Sequence, residues 1–157
     1  MKRIIVFFFL IASIASYGQK PVPIIFDTDI APDYDDVGAM AILHAFANKG
    51  EAQILATMSC NAFETTVPTL SVLNTYFGRP QIPIGVTKSS YPNKSCGQEW
   101  AQAIVKDYPH ALHSNSEAMN AVALYRKILS AQPDNSVIIV SVVFFTNLAG
   151  LLVSGPY

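Results

Sequence analysis

The stretch that decides the fold is Ile24-Ile25-Phe26-Asp27-Thr28-Asp29-Ile30-Ala31-Pro32-Asp33-Tyr34-Asp35-Asp36. Its first residues end an apolar, β-favouring run that is typical of a buried strand. Five carboxylates then follow within ten residues. A cluster this dense raises its own pKa values by mutual repulsion unless a cation or many hydrogen-bond donors compensate. Because oxygen ligands favour hard cations such as Ca²⁺ or Mg²⁺, the sequence predicts a metal site directly after the strand.

Beyond this stretch, apolar β-rich runs alternate with segments of helical periodicity. The predicted strands are 22–26, 54–58, 82–86 and 136–145. The predicted helices are 37–48, 65–77, 98–105, 117–129 and one that begins at Thr146, and a polar loop covers 87–97. Strands that are apolar throughout and alternate with helices indicate an α/β, Rossmann-like fold, in which a mostly parallel sheet is covered by helices on both faces. Since the sequence stops soon after Thr146, we expect this sheet to be incomplete.

The N-terminus has the pattern of a secretory signal peptide. Lys2 and Arg3 precede an uninterrupted apolar stretch, 4–14, and small residues follow up to Gly18. The apolar stretch is shorter than the roughly 20 residues that a membrane-spanning helix needs. We therefore predict that residues 1–19 are removed, that residues 20–157 form one domain, and that the mature protein is secreted or periplasmic and not anchored in the membrane.

Charge and cysteine content narrow the class of partner. The net charge is −1, and Lys and Arg are not clustered along the chain, so nothing favours binding to nucleic acid or to an anionic membrane. A small-molecule ligand fits better. The two cysteines, Cys60 and Cys96, are either a disulfide, which an oxidising compartment permits, or two separate thiols.

Polar residues follow three of the predicted strands. These are the acidic stretch, the segment Ser59-Cys60-Asn61 and the pair Thr146-Asn147. Ligands of open parallel sheets bind beyond the carboxyl ends of the strands. The sequence therefore predicts that three segments far apart in the chain converge on one rim of the sheet.

Taken together, these segments resemble the inosine/uridine-preferring nucleoside hydrolase family. The resemblance rests on Asp27-Thr28-Asp29 with Asp35-Asp36, then Asn61, then Thr146-Asn147-Leu148-Ala149, in the order found in the family. It spans roughly 23–152 and corresponds to about the N-terminal half of a typical member. It implies an N-glycosyl hydrolase that uses Ca²⁺ to split ribonucleosides into ribose and free nucleobase, and, since many members are dimers or tetramers, a homo-oligomer.

The resemblance also implies a set of Ca²⁺ ligands. Asp29 is then both a ligand and the general base, Asp36 is a bidentate ligand, and the backbone carbonyl of Thr146 is a third ligand. Members of the family usually complete the shell with an Asp from their C-terminal half, and the present sequence ends before any such residue. We therefore expect the shell that this chain supplies to be open.

The remaining acidic and amide residues receive supporting or substrate-binding roles from the same resemblance. Asp35 and Asn61 are expected to hold ribose hydroxyls, and Asp27 is expected to position the cluster. Asp33 has no assigned role. The sequence departs from the family where Ala31-Pro32 replaces a Gly-containing turn, which restricts the backbone of the acidic stretch.

Three other interpretations are compatible with parts of the pattern. A strand followed by Asp-x-Asp is also the nucleophile and acid pair of haloacid-dehalogenase-type phosphohydrolases, with Mg²⁺ bound, although that family does not explain Asp35-Asp36. The second interpretation is a protein that binds Ca²⁺ or ribose without catalysis. The third is a solvated turn in which Asp33, Asp35 and Asp36 cap the following helix.

The histidines and the aromatic residues beside the polar loop are not assigned to this site. His44 falls within a predicted helix and is expected to be packed or half-exposed. His110 and His113 lie in a polar connection and are expected to face solvent. Trp100 and Tyr91 flank the loop and either stack on a nucleobase or pack as part of a core or lid.

Overall fold

The computed structural model describes residues 20–90, 92–95, 97–142 and 144–155. The predicted signal peptide, Tyr91 and Cys96 therefore lie outside the described residues. Among the helices in the described ranges, none has both the length and the hydropathy needed to cross a membrane.

Strands and helices alternate along the described chain. The strands are β1 (Val22–Thr28), β2 (Ala52–Ser59), β3 (Ile84–Val86), β4 (Met119–Asn120) and β5 (Ile138–Ser141). The α-helices are α1 (Asp35–Asn48), α2 (Thr66–Tyr76), α3 (Trp100–Asp107), α4 (Ala121–Leu129) and α5 (Thr146–Val153), and a 3₁₀ turn occupies Asn115–Glu117.

The five strands form one sheet in the order β4-β3-β2-β1-β5, and every neighbouring pair is parallel. This confirms the predicted α/β, Rossmann-like class. The chain order runs outward from β1 through β2 and β3 to β4, and then returns to place β5 on the other side of β1. The reversal makes the gap between β1 and β5 the topological switch point, where sheets of this type bind their ligands.

Helices cover both faces of the sheet, as predicted. Successive side chains of β1 point to opposite faces, so Phe26 packs on one side and Ile25 on the other. The first layer lies under α1 and α2, and its buried members include Phe26, Met40, Leu43, Val67 and Leu70. The second layer lies under α4 and α5, and its buried members include Ile25, Ala56, Met58, Leu124 and Tyr125.

The second layer packs closely against Gly85. A Cβ atom on Gly85 of β3 would lie 2.5 Å from Met58 Sδ and 3.0 Å from Ala121 Cα. Since such distances are shorter than van der Waals contact, the absence of a side chain here lets α4 approach the sheet closely.

Several element boundaries differ from the predicted ones, and the strand predicted over 136–145 is much shorter, with only Ile138–Ser141 of its described residues in the sheet. β1 continues to Thr28, so Asp27 lies within the sheet, opposite Met58 of β2 and Ser141 of β5. β4 was not predicted, because a strand of two residues is too short to give an alternating pattern. The helix predicted over 117–129 begins only at Ala121, where the side chain of Asn120 accepts a hydrogen bond of 3.0 Å from the backbone N–H of Ala123 and caps the helix.

Candidate functional site

The three polar segments lie together at the carboxyl ends of β1, β2 and β5. The backbone N–H of Cys60, after β2, donates to the carbonyl of Thr28 at 2.9 Å. The Thr146 hydroxyl, at the start of α5, donates to the carbonyl of Cys60 at 3.2 Å. These two contacts join residues from the ends of three strands, so the acidic stretch, the segment after β2 and the Thr146 region share one rim of the sheet.

Two carboxyl groups of the acidic stretch are buried against each other. Asp29 is 4% exposed and Asp36 is 1% exposed, and their side chains are within hydrogen-bonding reach of one another. The Thr28 hydroxyl donates to Asp36 Oδ1 at 2.6 Å. Asp29 Oδ1 and Asp36 Oδ2 are buried and have no hydrogen-bond partner among the residues that the structure describes. Buried polar atoms are rarely left unpaired, so the two carboxyl groups hold either a shared proton or a cation between them.

Both carboxyl groups are shifted toward the protonated form. Burial raises the pKa of Asp36 to about 7, the neighbouring Asp29 raises it further, and the hydrogen bond from Thr28 opposes the shift. Burial is also the largest cause that raises the pKa of Asp29, and the negative charges of Asp33 and Asp35 act in the same direction. A cation between the two groups would offset their negative charges and so favour the ionised carboxylates that burial disfavours. The donors present are all oxygens, so the residues fit a hard divalent ion.

The backbone of the acidic stretch is strained at one residue. Ile30 has φ of 39°, in the left-handed region that β-branched residues rarely adopt. Its side chain is fully buried in the first core layer, and its N–H donates to the Thr28 hydroxyl at 3.1 Å. The acidic stretch thus turns sharply at Ile30, one residue before Ala31-Pro32. Strain of this kind is found where the surrounding structure holds a functional geometry.

Asp27 lies below the rim and is completely engaged with protein groups. Tyr125 of α4 donates its hydroxyl to Asp27 Oδ2 at 2.9 Å, and Asn147 of α5 donates to Asp27 Oδ1 at 3.1 Å. Asn147 also donates to the carbonyl of Ser59 at 3.1 Å. Burial raises the pKa of Asp27 to about 7, although these hydrogen bonds lower it. Asp27 therefore ties β1 to α4 and α5, and its role in supporting the cluster stays a prediction.

Asn61 is buried, and its amide connects the acidic stretch to the polar loop. Its Nδ2 donates to the carbonyls of Asp29 at 3.2 Å and of Lys94 at 2.8 Å. Its Oδ1 accepts from the backbone N–H of Lys94 at 2.9 Å and of Phe63 at 3.3 Å. To hold a ribose hydroxyl, as the resemblance implies, this amide must exchange one of its protein partners.

Asp33 and Asp35 differ from the buried pair because both are exposed. They interact with each other, and this contact raises the pKa of Asp33 and lowers the pKa of Asp35. Helix α1 begins after Tyr34, whose side chain makes no capping hydrogen bond, whereas the Asp35 carboxylate accepts from backbone N–H groups of the first turn. The interpretation of the acidic stretch as a solvated capping turn therefore fits Asp35 but does not account for the burial of Asp29 and Asp36.

The aromatic residues at the edge of the polar loop lie next to the acidic stretch. The Tyr34 hydroxyl donates to Gln98 Oε1, and the Tyr34 ring meets the Trp100 ring edge-on, with centroids 6.1 Å apart. Trp100 also packs against the first core layer. A role in stacking on a nucleobase stays a prediction for Trp100.

Other candidates from the sequence lie outside the site. His44 is buried between α1 and α2, where Nε2 is 3.3 Å from Asn74 Oδ1 and Nδ1 is 3.4 Å from the Arg79 guanidinium, so the prediction of a packed histidine is confirmed. Cys60 is a buried free thiol whose pKa is raised to about 12, chiefly by burial. A thiol in this state is unreactive.

Sequence reasoning gave no role to two side chains that the structure places at the site. Asn147 lies in the segment that carries the family resemblance, but its hydrogen bond to Asp27 was not predicted. Tyr125 lies 98 residues from Asp27 in the chain, in the middle of an ordinary amphipathic helix. Nothing in its local sequence signals the contact, because it depends on how α4 packs on the sheet.

Comparison with known proteins bears on the fold alone. The chain matches no protein-family model and no curated protein. Among solved structures it is similar to the crystal structure of the effector protein XOO4466, with a TM-score of 0.62 and 16% sequence identity over 86% of this chain and 39% of that protein. The chain thus spans well under half the length of that protein. At this level of identity, the likeness shows a shared α/β fold.

Proposed function

We propose that this chain carries the metal-binding and base-supplying part of a ribonucleoside hydrolase, which uses Ca²⁺ to split the N-glycosidic bond into ribose and a free nucleobase. One observation carries the proposal. Asp29 and Asp36 face each other in a buried position at the switch point of the sheet, and each has an oxygen without a partner among the described residues.

The residues that would hold the ion are those predicted from the resemblance. Asp29 Oδ1 and Asp36 Oδ2 are the unpaired oxygens, and the backbone carbonyl of Thr146 belongs to the segment joined to the same rim. Ca²⁺ usually takes six to eight oxygens, so water and substrate hydroxyls would complete the shell. When bound, Ca²⁺ lowers the pKa of a coordinated water molecule.

Asp29 would act as the general base. Burial raises its pKa above that of a solvated carboxylate, and Ca²⁺ bound to one of its oxygens would oppose that rise. Proton transfer from a water molecule to Asp29 would let the water oxygen form a bond to the anomeric carbon as the C–N bond to the nucleobase breaks, and the departing nucleobase would take a proton from solvent. General bases typically contribute 10²–10⁴-fold to the rate, and loss of Asp29 should reduce turnover at least that much.

The other residues would position the substrate and stabilise charge. Cleavage of an N-glycosidic bond passes through an oxocarbenium-like state, which negative groups around the ribose stabilise. Asp35 is exposed, and its carboxylate, which also interacts with Asp33 and with backbone N–H groups of the first turn of α1, would accept a hydrogen bond from a ribose hydroxyl. Asp27 would hold β1 in place through Tyr125 and Asn147, without contact with the substrate.

The structure weighs against a phosphohydrolase of the haloacid-dehalogenase type. In that mechanism the first Asp of Asp-x-Asp, here Asp27, attacks phosphorus directly. Asp27 is fully buried, and both of its oxygens accept hydrogen bonds. A nucleophile must be open to its substrate, and Asp27 is not.

A second candidate function is binding of Ca²⁺ and ribose without turnover. It is favoured by the engaged amide of Asn61, whose oxygen and nitrogen are both bonded to backbone groups of the protein. An assay of turnover separates this candidate from the hydrolase.

The test is release of free ribose from inosine and from uridine, measured with a reducing-sugar assay in Ca²⁺ and in a chelator. We expect Ca²⁺-dependent release that Asp29→Asn abolishes. The matched control is Glu51→Gln, which removes an exposed carboxylate at the opposite end of β2 and should leave the rate unchanged. Calcium-dependent stabilisation without ribose release would support the binding protein, and phosphate release from a phosphomonoester would support the phosphohydrolase.

A further inference from the structure

Two histidines in the connection between α3 and β4 face each other. His110 Nε2 and His113 Nδ1 are 3.0 Å apart, and the ring centroids are separated by 4.6 Å at an angle of 60°. His113 is exposed and His110 is partly exposed. The two nitrogens therefore converge at a point that solvent can reach.

The hydrogen bonds of His110 fix which of its nitrogens is available. His110 Nδ1 lies 2.9 Å from the backbone carbonyl of Tyr108. Since a carbonyl only accepts, Nδ1 carries the proton, and the neutral ring presents the lone pair of Nε2 to His113. A metal-binding histidine is typically held in this way, with its other ring N–H donated to a backbone carbonyl or a carboxylate.

The backbone of the turn is held from both sides. The Ser71 hydroxyl, in α2, accepts from the N–H groups of Ala111 at 3.0 Å and of Leu112 at 3.1 Å. The Glu117 carboxylate accepts from the N–H of His113 at 3.3 Å. Because the backbone between the two histidines is already ordered, little conformational entropy is lost when the rings take up a common ligand.

The distance between the two nitrogens fits either a shared proton or a shared metal ion. Nitrogens that bind one tetrahedral ion at about 2.0–2.1 Å each are separated by roughly 3.3 Å. The observed distance is 3.0 Å, and the ion would take the place of the proton that His113 Nδ1 donates to His110 Nε2, with His113 then carrying its proton on Nε2. Imidazole is a preferred ligand of borderline divalent ions and a poor match for the hard ion proposed at the carboxylate rim.

We propose that His110 and His113 form a two-histidine site for a borderline divalent transition-metal ion of the Zn²⁺, Cu²⁺ or Ni²⁺ class. Water completes the coordination shell on the exposed side. The site is independent of the hydrolase proposed above, because it uses none of the residues at the carboxylate rim.

The test is a calorimetric titration of the untagged full chain with Zn²⁺, in excess Ca²⁺ so that the carboxylate rim is occupied. We expect one equivalent to bind, and we expect His110→Ala and His113→Ala each to weaken binding at least about tenfold. Both side chains are on the surface, so neither substitution should unfold the protein. Asp29→Asn is the control that separates the two sites, and it should leave Zn²⁺ binding unchanged.

A second measurement uses substoichiometric Cu²⁺ and the ring proton resonances of the histidines. We expect broadening of His110 and His113 together, while His44 stays sharp because both of its nitrogens are engaged inside the protein. The proposal is overturned if both alanine variants bind Zn²⁺ as tightly as the original chain. It is also overturned if Cu²⁺ broadens only one of the two rings.

Discussion

Replacing Asp36 with Asn should stabilise the metal-free protein and remove its response to Ca²⁺. The substitution keeps the shape of the side chain, and its Oδ1 still accepts the hydrogen bond from the Thr28 hydroxyl. It removes the charge that burial opposes. A carboxylate that only stabilises the folded state would destabilise the protein when replaced. A metal ligand that is buried without its ion would stabilise the metal-free protein when replaced, so the two roles predict changes of opposite sign in the free energy of unfolding.

The magnitude follows from the pKa of Asp36. That pKa is raised from 3.8 to about 7 in the folded protein. The folded state therefore holds the proton more tightly than the unfolded chain, so this group contributes stability that is complete below pH 3.8 and is lost as the pH rises through 7. At about 1.4 kcal/mol for each pKa unit, the loss at pH 8 is about 4 kcal/mol. Because Asp29 shares the interaction, we expect Asp36→Asn to recover about 2–4 kcal/mol.

The assay is urea denaturation at pH 8, followed by circular dichroism, in a chelator and in Ca²⁺. In the chelator, Asp36→Asn should be more stable than the original chain. In Ca²⁺ at 100 times its dissociation constant, the original chain should gain about 2.7 kcal/mol and the variant should gain nothing. Glu51→Gln is the control, and it should behave like the original chain in both conditions. The reasoning is refuted if Asp36→Asn is the less stable protein in the chelator, or if Ca²⁺ leaves the original chain unchanged.

Three further predictions concern the residues that support the site and the core. Burial lowers the pKa of His44 from 6.5 to about 4, so the stability that it contributes is present above pH 6.5 and lost as the pH falls toward 4. His44→Gln should remove about 1–3 kcal/mol of this acid sensitivity, measured by urea denaturation between pH 4 and 8. Gly85→Ala should lower the free energy of unfolding by about 1–3 kcal/mol because the added Cβ meets Met58 and Ala121. The control Gly38→Ala, where an added Cβ in α1 meets nothing, should be neutral or stabilising, and equal effects of the two substitutions would contradict the packing argument. Tyr125→Phe should destabilise the protein by about 1–3 kcal/mol, since it leaves Asp27 Oδ2 without its donor, and thermal denaturation that is unchanged at pH 8 would exclude this role.

The sequence by itself determined the fold class and the rim at which the polar segments meet. Apolar runs that alternate with helical periods have few solutions other than a covered parallel sheet, and the direction of parallel strands then puts the residues after β1, β2 and β5 on one edge. The density of carboxylates after β1 indicated a cation by charge repulsion alone. These arguments need only local pattern and the direction of the chain.

The tertiary structure decided which of the five carboxylates are buried. Asp29 and Asp36 lie inside while Asp33 and Asp35 face solvent, although all four occur within eight residues. Their spacing gives no sign of this difference, because burial depends on how the strained turn at Ile30 folds the stretch back over the end of β1.

The support beneath the site was also decided by packing between distant elements. The partner of Asp27 on α4 is 98 residues away in the chain, and the amide of Asn61 is taken up by backbone groups of the polar loop. Such contacts form only when helices and loops from separate parts of the chain dock on the sheet. For that physical reason the sequence indicated where the site lies, and only the three-dimensional arrangement showed which oxygens are left without a partner among the described residues.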